Sequence, residues 1–291
     1  EPIEMLEAAG FEVFFNTYRR QMEEDELIAA LKDKDAIILS TEQITEEVID
    51  ASPKLKIISR YGVGLDNIDL AYCARKNVSV TVTKGANSNA VAEYAITSML
   101  AALKGVCLSS SAAKENKWQK VTGLDLAGRT IGVIGLGAIG KTVIQRLSGF
   151  DLTILGYDQV YDKDFCEKYQ VKPTDLEGIF EQADILTFHV PSNSNEPILN
   201  EEAFKKLKQD VVIVNTARAS LIDYHALYEN AKNGKVFAAA LDVHEEEPHF
   251  DEDLRKLDNV ILTPHNGAIS KEAINHTSLV AVNNLLGYFE S

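Results

Sequence analysis

The sequence predicts an α/β protein built on parallel sheets. Three observations carry that expectation. Short apolar strands alternate with helices along nearly the whole chain, as in successive βαβ units. Residues 128–158, GRTIGVIGLGAIGKTVIQRLSGFDLTILGYD, read strand, glycine turn, helix, strand. Polar residues then gather at successive strand ends, with Arg218, Asp242 and His265 at three of them. In open α/β sheets such ends are where ligands bind.

Taken in order, residues 2–9 read as a helix with Pro2 in its first turn and Gly10 ending it. Residues 11–15 read as a short strand and 24–31 as an amphipathic helix. Residues 36–39 are an apolar strand, 45–51 a short helix, and 55–59 and 78–82 two further strands. A doubly wound sheet ordinarily begins with a strand, and none precedes Pro2, so a strand is expected to be missing at the amino terminus. The segment RYGVGLDNID, residues 60–69, follows a strand and has two readings. Its glycines around Val63 let backbone N–H groups approach an anion, or it is a glycine turn capped by Asp66 or Asn67; spacing leaves both open. Residues 85–105 form a helix capped by Asn87, Ser88 or Asn89. It is apolar on most faces, so it must be buried in a core or against another subunit. Residues 83–87 before it read as a hinge. Residues 109–122 read as a polar connection carrying Trp118, the only tryptophan.

The glycine turn has the form GxGxxG. Gly135 permits the tight turn out of the strand, Gly137 leaves the backbone open to a pyrophosphate, and Gly140 lets helix and strand pack closely. The helix begins inside the turn at Ala138 and Ile139, so its free N–H groups and positive dipole end face an anion. Asp158 ends the next strand 18 residues beyond Gly140, where an acid accepts ribose hydroxyls. A carboxylate there, followed by Gln159 rather than Arg, favours NAD over NADP.

Alternation continues to the end. Residues 175–181 are a helix and 183–188 a strand running into His189-Val190-Pro191, followed by a polar loop at 192–197. Helices at 201–207 and 225–233 flank a strand at 211–214 that ends in Asn215-Thr216-Ala217-Arg218. Residues 237–241 end in Asp242 and the acidic loop HEEEPHFDED; residues 260–262 end in Thr263-Pro264-His265. Residues 271–288 form the last helix. Hydride transfer at a carbinol carbon needs such a set: a cation for the substrate carboxylate and carbonyl, and a general acid/base for the hydroxyl proton. Histidine suits the second task at neutral pH, and a carboxylate beside it orients it. Three consecutive glutamates, Glu245, Glu246 and Glu247, compete for that place; such a run alone is ordinarily a solvated loop.

Composition narrows the function class. The chain has 291 residues, 45% apolar and 25% charged, as in ordinary globular proteins of one or two domains. Its net charge of −15 argues against nucleic acid and anionic membranes as partners, and requires a locally basic site for an anionic substrate. No apolar run is long enough to span a bilayer. Cys73, Cys107 and Cys166 are scattered without metal spacing, so buried thiols and a cytoplasmic location are expected. No cluster has metal-ligand spacing, and no metal is expected.

RYGVGLDNID, GANSNAVAE, GLGAIG, HVP, NTAR, DVHEEEP and TPH occur in the order seen in the D-isomer-specific 2-hydroxyacid dehydrogenases, and the chain resembles the shorter phosphoglycerate dehydrogenase-like members. The resemblance covers essentially the whole chain. It implies a Rossmann dinucleotide-binding domain, residues 85–266, inserted in a flavodoxin-like substrate domain, residues 1–84 plus 267–291, the two closing over the substrate. It implies a catalytic set of Arg218, Glu247 and His265, with Arg218 also on the substrate. NAD would be held by Gly135, Gly137, Ala138, Ile139, Gly140, Asp158, His189, Pro191, Thr216, Ala217 and Gly267, with Asp242 on its carboxamide. A small anionic 2-hydroxyacid or 2-keto acid would meet Arg60, Tyr61, Val63 and Gly64, and the 88–103 helix region would form a homodimer. Glyoxylate and hydroxypyruvate reduction are alternatives, as is an NADH-sensing, co-repressor-like interaction protein. Three departures stand out. Ala219 replaces the usual glycine and is strained by about 1 kcal/mol if its φ must be positive. His244 replaces the usual aromatic, and the 192–197 loop lacks the usual threonine.

Overall fold

The computed structural model describes residues 1–192 and 196–290. The chain divides into two compact units, Glu1–Asn87 with Ser270–Ser291, and Ser88–Ile269.

The first unit contains α1 (Pro2–Ala8), α2 (Glu24–Leu31), β1 (Ala36–Leu39), α3 (Glu46–Asp50), β2 (Ile57–Arg60), α4 (Leu70–Arg75) and β3 (Ser79–Val82), and is completed by the C-terminal helix Lys271–Glu290. Its three strands pair in parallel in the order β1-β2-β3. Alternate strand residues supply two cores. Ile58 and Leu39 join Leu27, Leu31 and Val48 on the face covered by α2 and α3, while Ile57 joins Leu6, Val282 and Leu285 on the other. The buried Ser59 hydroxyl donates to the Ala281 carbonyl at 2.9 Å, fixing the C-terminal helix over β2. Residues 11–15 are not a strand. Phe11 and Val13 pack onto the core of the C-terminal helix, Phe11 edge-on to Phe289 at 5.2 Å, while Phe14 and Phe15 face solvent. The alternation is that of a half-buried extended segment lying on a helix rather than on a neighbouring strand.

The second unit runs α5 (Ser88–Lys104), α6 (Val106–Lys114), β4 (Thr130–Ile134), α7 (Ala138–Leu147), β5 (Thr153–Tyr157), α8 (Lys163–Lys168), β6 (Val171–Pro173), α9 (Leu176–Gln182), β7 (Ile185–Phe188), α10 (Glu201–Lys206), β8 (Val211–Asn215), α11 (Tyr224–Lys232), β9 (Val236–Leu241) and β10 (Val260–Leu262). Seven parallel strands lie in the order β10-β9-β8-β7-β4-β5-β6, so the direction of winding reverses between β4 and β7. That reversal opens a crevice at the carboxyl ends of the strands. Ile213, Ala239 and Leu241 face α9 to α11, while Val212, Val214, Ala238 and Ala240 face α5 and α7.

Two expectations, the 109–122 connection and the buried thiols, are corrected here. Residues 109–122 are not all a connection, because Gly105, at φ 59°, ends α5 and α6 follows at once, bent 68° from it. For α5 the core alternative holds on one face: Ala92, Ala95, Met99 and Leu103 are fully buried against the sheet and α7, while Ile96 and Leu100 are partly buried. Cys73 and Cys166 are buried, but Cys107 is exposed. Among the described residues no single helix is long and apolar enough to cross a membrane.

Candidate active site

The glycine turn between β4 and α7 is shaped by close approach. A Cβ at Gly140 would lie 1.9 Å from the Gly135 carbonyl oxygen, and one at Gly135, whose φ is +103°, would lie 2.5 Å from that of His189. Both positions therefore exclude side chains. Gly137 is different: nothing lies within 4 Å of its Cβ position, and no side chain caps the first turn of α7 there. The turn thus presents an open space in front of a helix N-terminus, the form that accepts a pyrophosphate. Asp158, at the end of β5, accepts the Leu136 N–H at 2.6 Å and the Gln159 N–H at 2.6 Å, which ties the acid to the turn.

On the other side of the crevice, His189 follows β7 and donates its N–H to the Ile134 carbonyl at 2.7 Å. Its Nε2 lies 2.9 Å from the Thr187 hydroxyl, and burial pushes its pKa down to about 3, so the ring is neutral. Its Nδ1 and the Thr216 hydroxyl are buried without a partner among the described residues. Orphaned polar atoms at a strand edge fit a polar ligand, and with the open turn and Asp158 they fit NAD.

The ends of β8, β9 and β10, neighbours in the sheet, carry the remaining candidates. After β8, the fully buried Asn215 braces the turn: its side chain donates to the Arg218 carbonyl at 2.7 Å and accepts the Ala217 N–H at 3.0 Å. Arg218 has an extended backbone, φ −147°, and precedes a 3-10 turn, Ala219–Leu221. Ala219 is not among the residues with positive φ, so alanine here carries no left-handed strain. After β9, the buried Asp242 accepts from the Thr263 hydroxyl at 2.6 Å, the Asn266 N–H at 2.8 Å and the Gly267 N–H at 2.7 Å. A Cβ at Gly267 would come within 3.0 Å of Asp242 Oδ2. Burial raises the pKa of Tyr94, against which its hydrogen bond to Thr263 acts and to which the Asp242 charge adds.

His265 sits in the turn after β10 at φ 53°, a conformation that costs a non-glycine residue about 1–3 kcal/mol and persists only where its surroundings enforce it. Its N–H donates to the Thr263 carbonyl at 3.0 Å. Its Nδ1 lies 3.0 Å and 2.9 Å from the two oxygens of Glu247. A carboxylate only accepts, so Nδ1 carries the hydrogen and Nε2 faces outward from the pair. Of the three glutamates it is therefore Glu247 that partners His265. Glu245 instead borders a cavity of about 440 Å³ with Asp223, Asp251 and Asp253, where burial and then the charges of Asp251 and Asp223 raise its pKa. That acidic cavity suits no anionic substrate.

In the first unit, Arg60 folds over its own loop. Its Nε donates to the Gly64 carbonyl at 2.9 Å and its Nη1 to that of Tyr61 at 2.5 Å. Thr83, buried, holds Gly62 from the other side, accepting its N–H at 2.8 Å. Tyr61 donates its hydroxyl to the Ile274 carbonyl at 2.9 Å, and Val63 is exposed. Asn67 does not cap the glycine turn; its amide donates to the Glu42 carbonyl at 2.6 Å. Pro191 is exposed at the end of the HVP segment, and the 192–197 departure falls partly on residues 193–195, outside the described residues.

Sequence reasoning missed Leu136, Asn215, Thr263 and Asn266, which act through hydrogen bonds to the named residues or to their turns. Only Asn215 carried a local signal, an asparagine between a strand and a turn.

An α/β unit with a dinucleotide turn, a histidine–carboxylate pair and an arginine at adjoining strand ends defines an NAD-linked oxidoreductase. Residues 96–267 match the family model of the D-isomer specific 2-hydroxyacid dehydrogenase NAD-binding domain. The chain is 41% identical over 259 residues to a hydroxypyruvate reductase of Thermotoga maritima, covering 87% of this chain and 84% of the relative. It is 38% identical over 291 residues to a D-3-phosphoglycerate dehydrogenase of Archaeoglobus fulgidus, covering 98% of this chain but 55% of that longer protein. Its fold matches the crystal structure of a glyoxylate reductase from Paecilomyes thermophila with a TM-score of 0.89 at 27% identity, covering 100% and 92% of the two chains. The chain belongs to the D-isomer-specific 2-hydroxyacid dehydrogenase family, and its cofactor is NAD.

Proposed function

We propose that the protein interconverts a small 2-keto acid and its D-2-hydroxyacid, with His265 exchanging the hydroxyl proton. The observation that carries this is the placement of His265 Nδ1 on both Glu247 oxygens, at 2.9 and 3.0 Å, in a turn whose backbone is held in a left-handed conformation. In reduction, the imidazolium gives its Nε2 proton to the keto oxygen while Nδ1–H stays on Glu247. The carboxylate fixes the direction of the ring throughout. Arg218 pairs with the substrate carboxylate and polarises the adjacent carbonyl. Backbone N–H groups of the Tyr61 to Gly64 loop would take a substrate carboxylate, and Arg60 holds that loop in shape. NAD, when bound, supplies or accepts the hydride. Gly137, Asp158, His189 and Thr216 would hold it, and Asp242, which fixes the Thr263 to Gly267 turn, would serve its carboxamide.

Hydroxypyruvate, glyoxylate, pyruvate and phosphohydroxypyruvate form the substrate panel. NADH oxidation with each should single out one acid. The His265→Ala variant should then lose roughly 10²-fold or more in turnover, the size of an acid–base contribution, with NADH affinity nearly intact. Tight NADH binding with no acid reduced, or a variant as fast as the parent, refutes the proposal. We also infer a cytoplasmic homodimer. Free Cys73, Cys107 and Cys166 fit a reducing compartment. The second copy would meet the 88–103 helix region, where Ile96 and Leu100 are partly buried and which leads into the exposed Val106; sedimentation tests the dimer.

A further inference from the structure

His244, where the resemblance leads one to expect an aromatic, does more than fill space. It is 8% exposed, and its ring packs edge-on against Phe250 with centroids 4.7 Å apart. Its Nε2 lies 2.8 Å from the Thr263 carbonyl oxygen, so Nε2 carries the hydrogen and donates it. The same oxygen accepts the His265 N–H at 3.0 Å. The backbone N–H of His244 donates to Glu247 Oε1 at 3.2 Å, the oxygen that also lies 3.0 Å from His265 Nδ1. One residue therefore grips both halves of the pair: the turn that presents His265, through its ring, and the carboxylate that orients His265, through its backbone. The other Nδ1 face of the ring is buried without a partner among the described residues, which leaves the Nε2–H bond as the ring's polar anchor.

We propose that His244 is a positioning residue for proton transfer: its Nε2–H to Thr263 sets the His265 turn at the distance from Glu247 that keeps His265 in its Nδ1–H form. This rests on the assignment of His265 and Glu247 as the proton-exchanging pair. A bare aromatic at position 244 would fill the volume but leave the left-handed turn held from the Asp242 side alone. A histidine adds the second hold. An unconstrained histidine side chain prefers the Nε2–H form, so the tautomer of His265 reports directly on whether Glu247 remains aligned.

The test compares His244→Phe, which keeps a ring against Phe250 and removes the donor, with His244→Gln, whose amide nitrogen reaches the Nε2 position. Ring nitrogen shifts are recorded on the whole protein labelled with ¹⁵N-histidine, at a pH where imidazoles are neutral, with the His265 signals identified by their loss in His265→Gln. In His244→Phe the His265 signals should move from the Nδ1–H form toward the Nε2–H form. Turnover should fall about fivefold, which is about 1 kcal/mol, with KM and NADH affinity within about twofold. His244→Gln should restore the signals and at least half of the turnover. Unchanged His265 signals in His244→Phe, or equal displacement in both variants, overturns the proposal. If His244→Phe does not fold, displaced signals in His244→Gln overturn it and retained ones support it. Displaced signals with unchanged turnover uphold the positioning role and instead refute His265 as the proton-exchanging group.

Discussion

Replacing Gly137 by alanine should separate cofactor binding from folding in a way that replacing Gly140 cannot. The Gly137 backbone, φ −72° and ψ −164°, is open to any residue, and nothing lies within 4 Å of a Cβ there. Alanine at position 137 shrinks the conformational freedom of the unfolded chain, a gain of about 0.4–1 kcal/mol. It loses about 0.5–1 kcal/mol as a helix cap, where glycine is the better residue. Folding stability should therefore stay within about 0.5 kcal/mol of the parent, the usual range for a site away from packing. The added methyl does occupy the space in which a pyrophosphate would approach the α7 N–H groups. NADH affinity should fall roughly 10- to 100-fold, about 1.4–2.7 kcal/mol. Gly140→Ala meets the Gly135 carbonyl at 1.9 Å, backbone against backbone, so neither side yields by rotating a side chain. That variant should lose about 3 kcal/mol or more of stability, at or beyond the upper end of overpacking costs. Thermal unfolding without ligand and NADH fluorescence titration read the two effects separately. NADH bound by Gly137→Ala within twofold of the parent refutes the turn as the phosphate cradle. Equal loss of stability in the two variants refutes the contrast in space.

Two further outcomes follow from single residues. Asp158→Ala should weaken NAD more than NADP, since only the 2′-phosphate is relieved of a carboxylate; equal losses in isothermal titration would contradict the ribose role. His189 is held neutral by burial, with its pKa down to about 3 against about 6.5 when unfolded. Its contribution to stability is complete above about pH 6.5 and is lost as pH falls toward 3, by up to about 1.4 kcal/mol per pH unit. His189→Gln should flatten the urea-unfolding stability between those limits, and an unchanged slope would rule out His189 as its source.

The glycine turn and the parallel alternation were legible because each rests on local chemistry. Gly140 marks a contact with backbone five residues away and Gly135 one with the neighbouring strand's end, and β1 and β10 are bounded by their apolar runs alone. The strand read at residues 11–15 failed because period-two burial arises equally on a helix surface, where Phe11 and Val13 rest. Helix α4 and helix α8 are six residues each and carry too few apolar positions to show a period. At the site, residue types were visible and connections were not. Glu247 was separated from Glu245 by resemblance alone, and the geometry supplies the reason, since Glu245 turns to an acidic cavity while Glu247 meets His265. Thr263 looked like a turn residue, yet its hydroxyl binds Asp242 and its carbonyl gathers His244 and His265.

The commitment of Asp242 to that turn leads to a sharper expectation than its place in a cofactor motif. Its Oδ1 accepts the Thr263 hydroxyl and the Asn266 N–H, and its Oδ2 accepts the Gly267 N–H, with 2% of the residue exposed. A carboxylate offers about four acceptor sites, so three are occupied by the protein itself. Asparagine has the same shape and one acceptor oxygen. Whichever way its amide is turned, an NH₂ faces either the Asn266 or the Gly267 N–H, and one backbone donor, part-buried at Asn266 or buried at Gly267, is left without an acceptor. The cost is about 1–3 kcal/mol, that of an unsatisfied buried group. Asp242→Asn should therefore lower urea-unfolding stability by that amount in protein free of any cofactor, and should slacken the turn that presents His265. If unliganded Asp242→Asn is as stable as the parent, the turn is held by other means and Asp242 serves the cofactor alone.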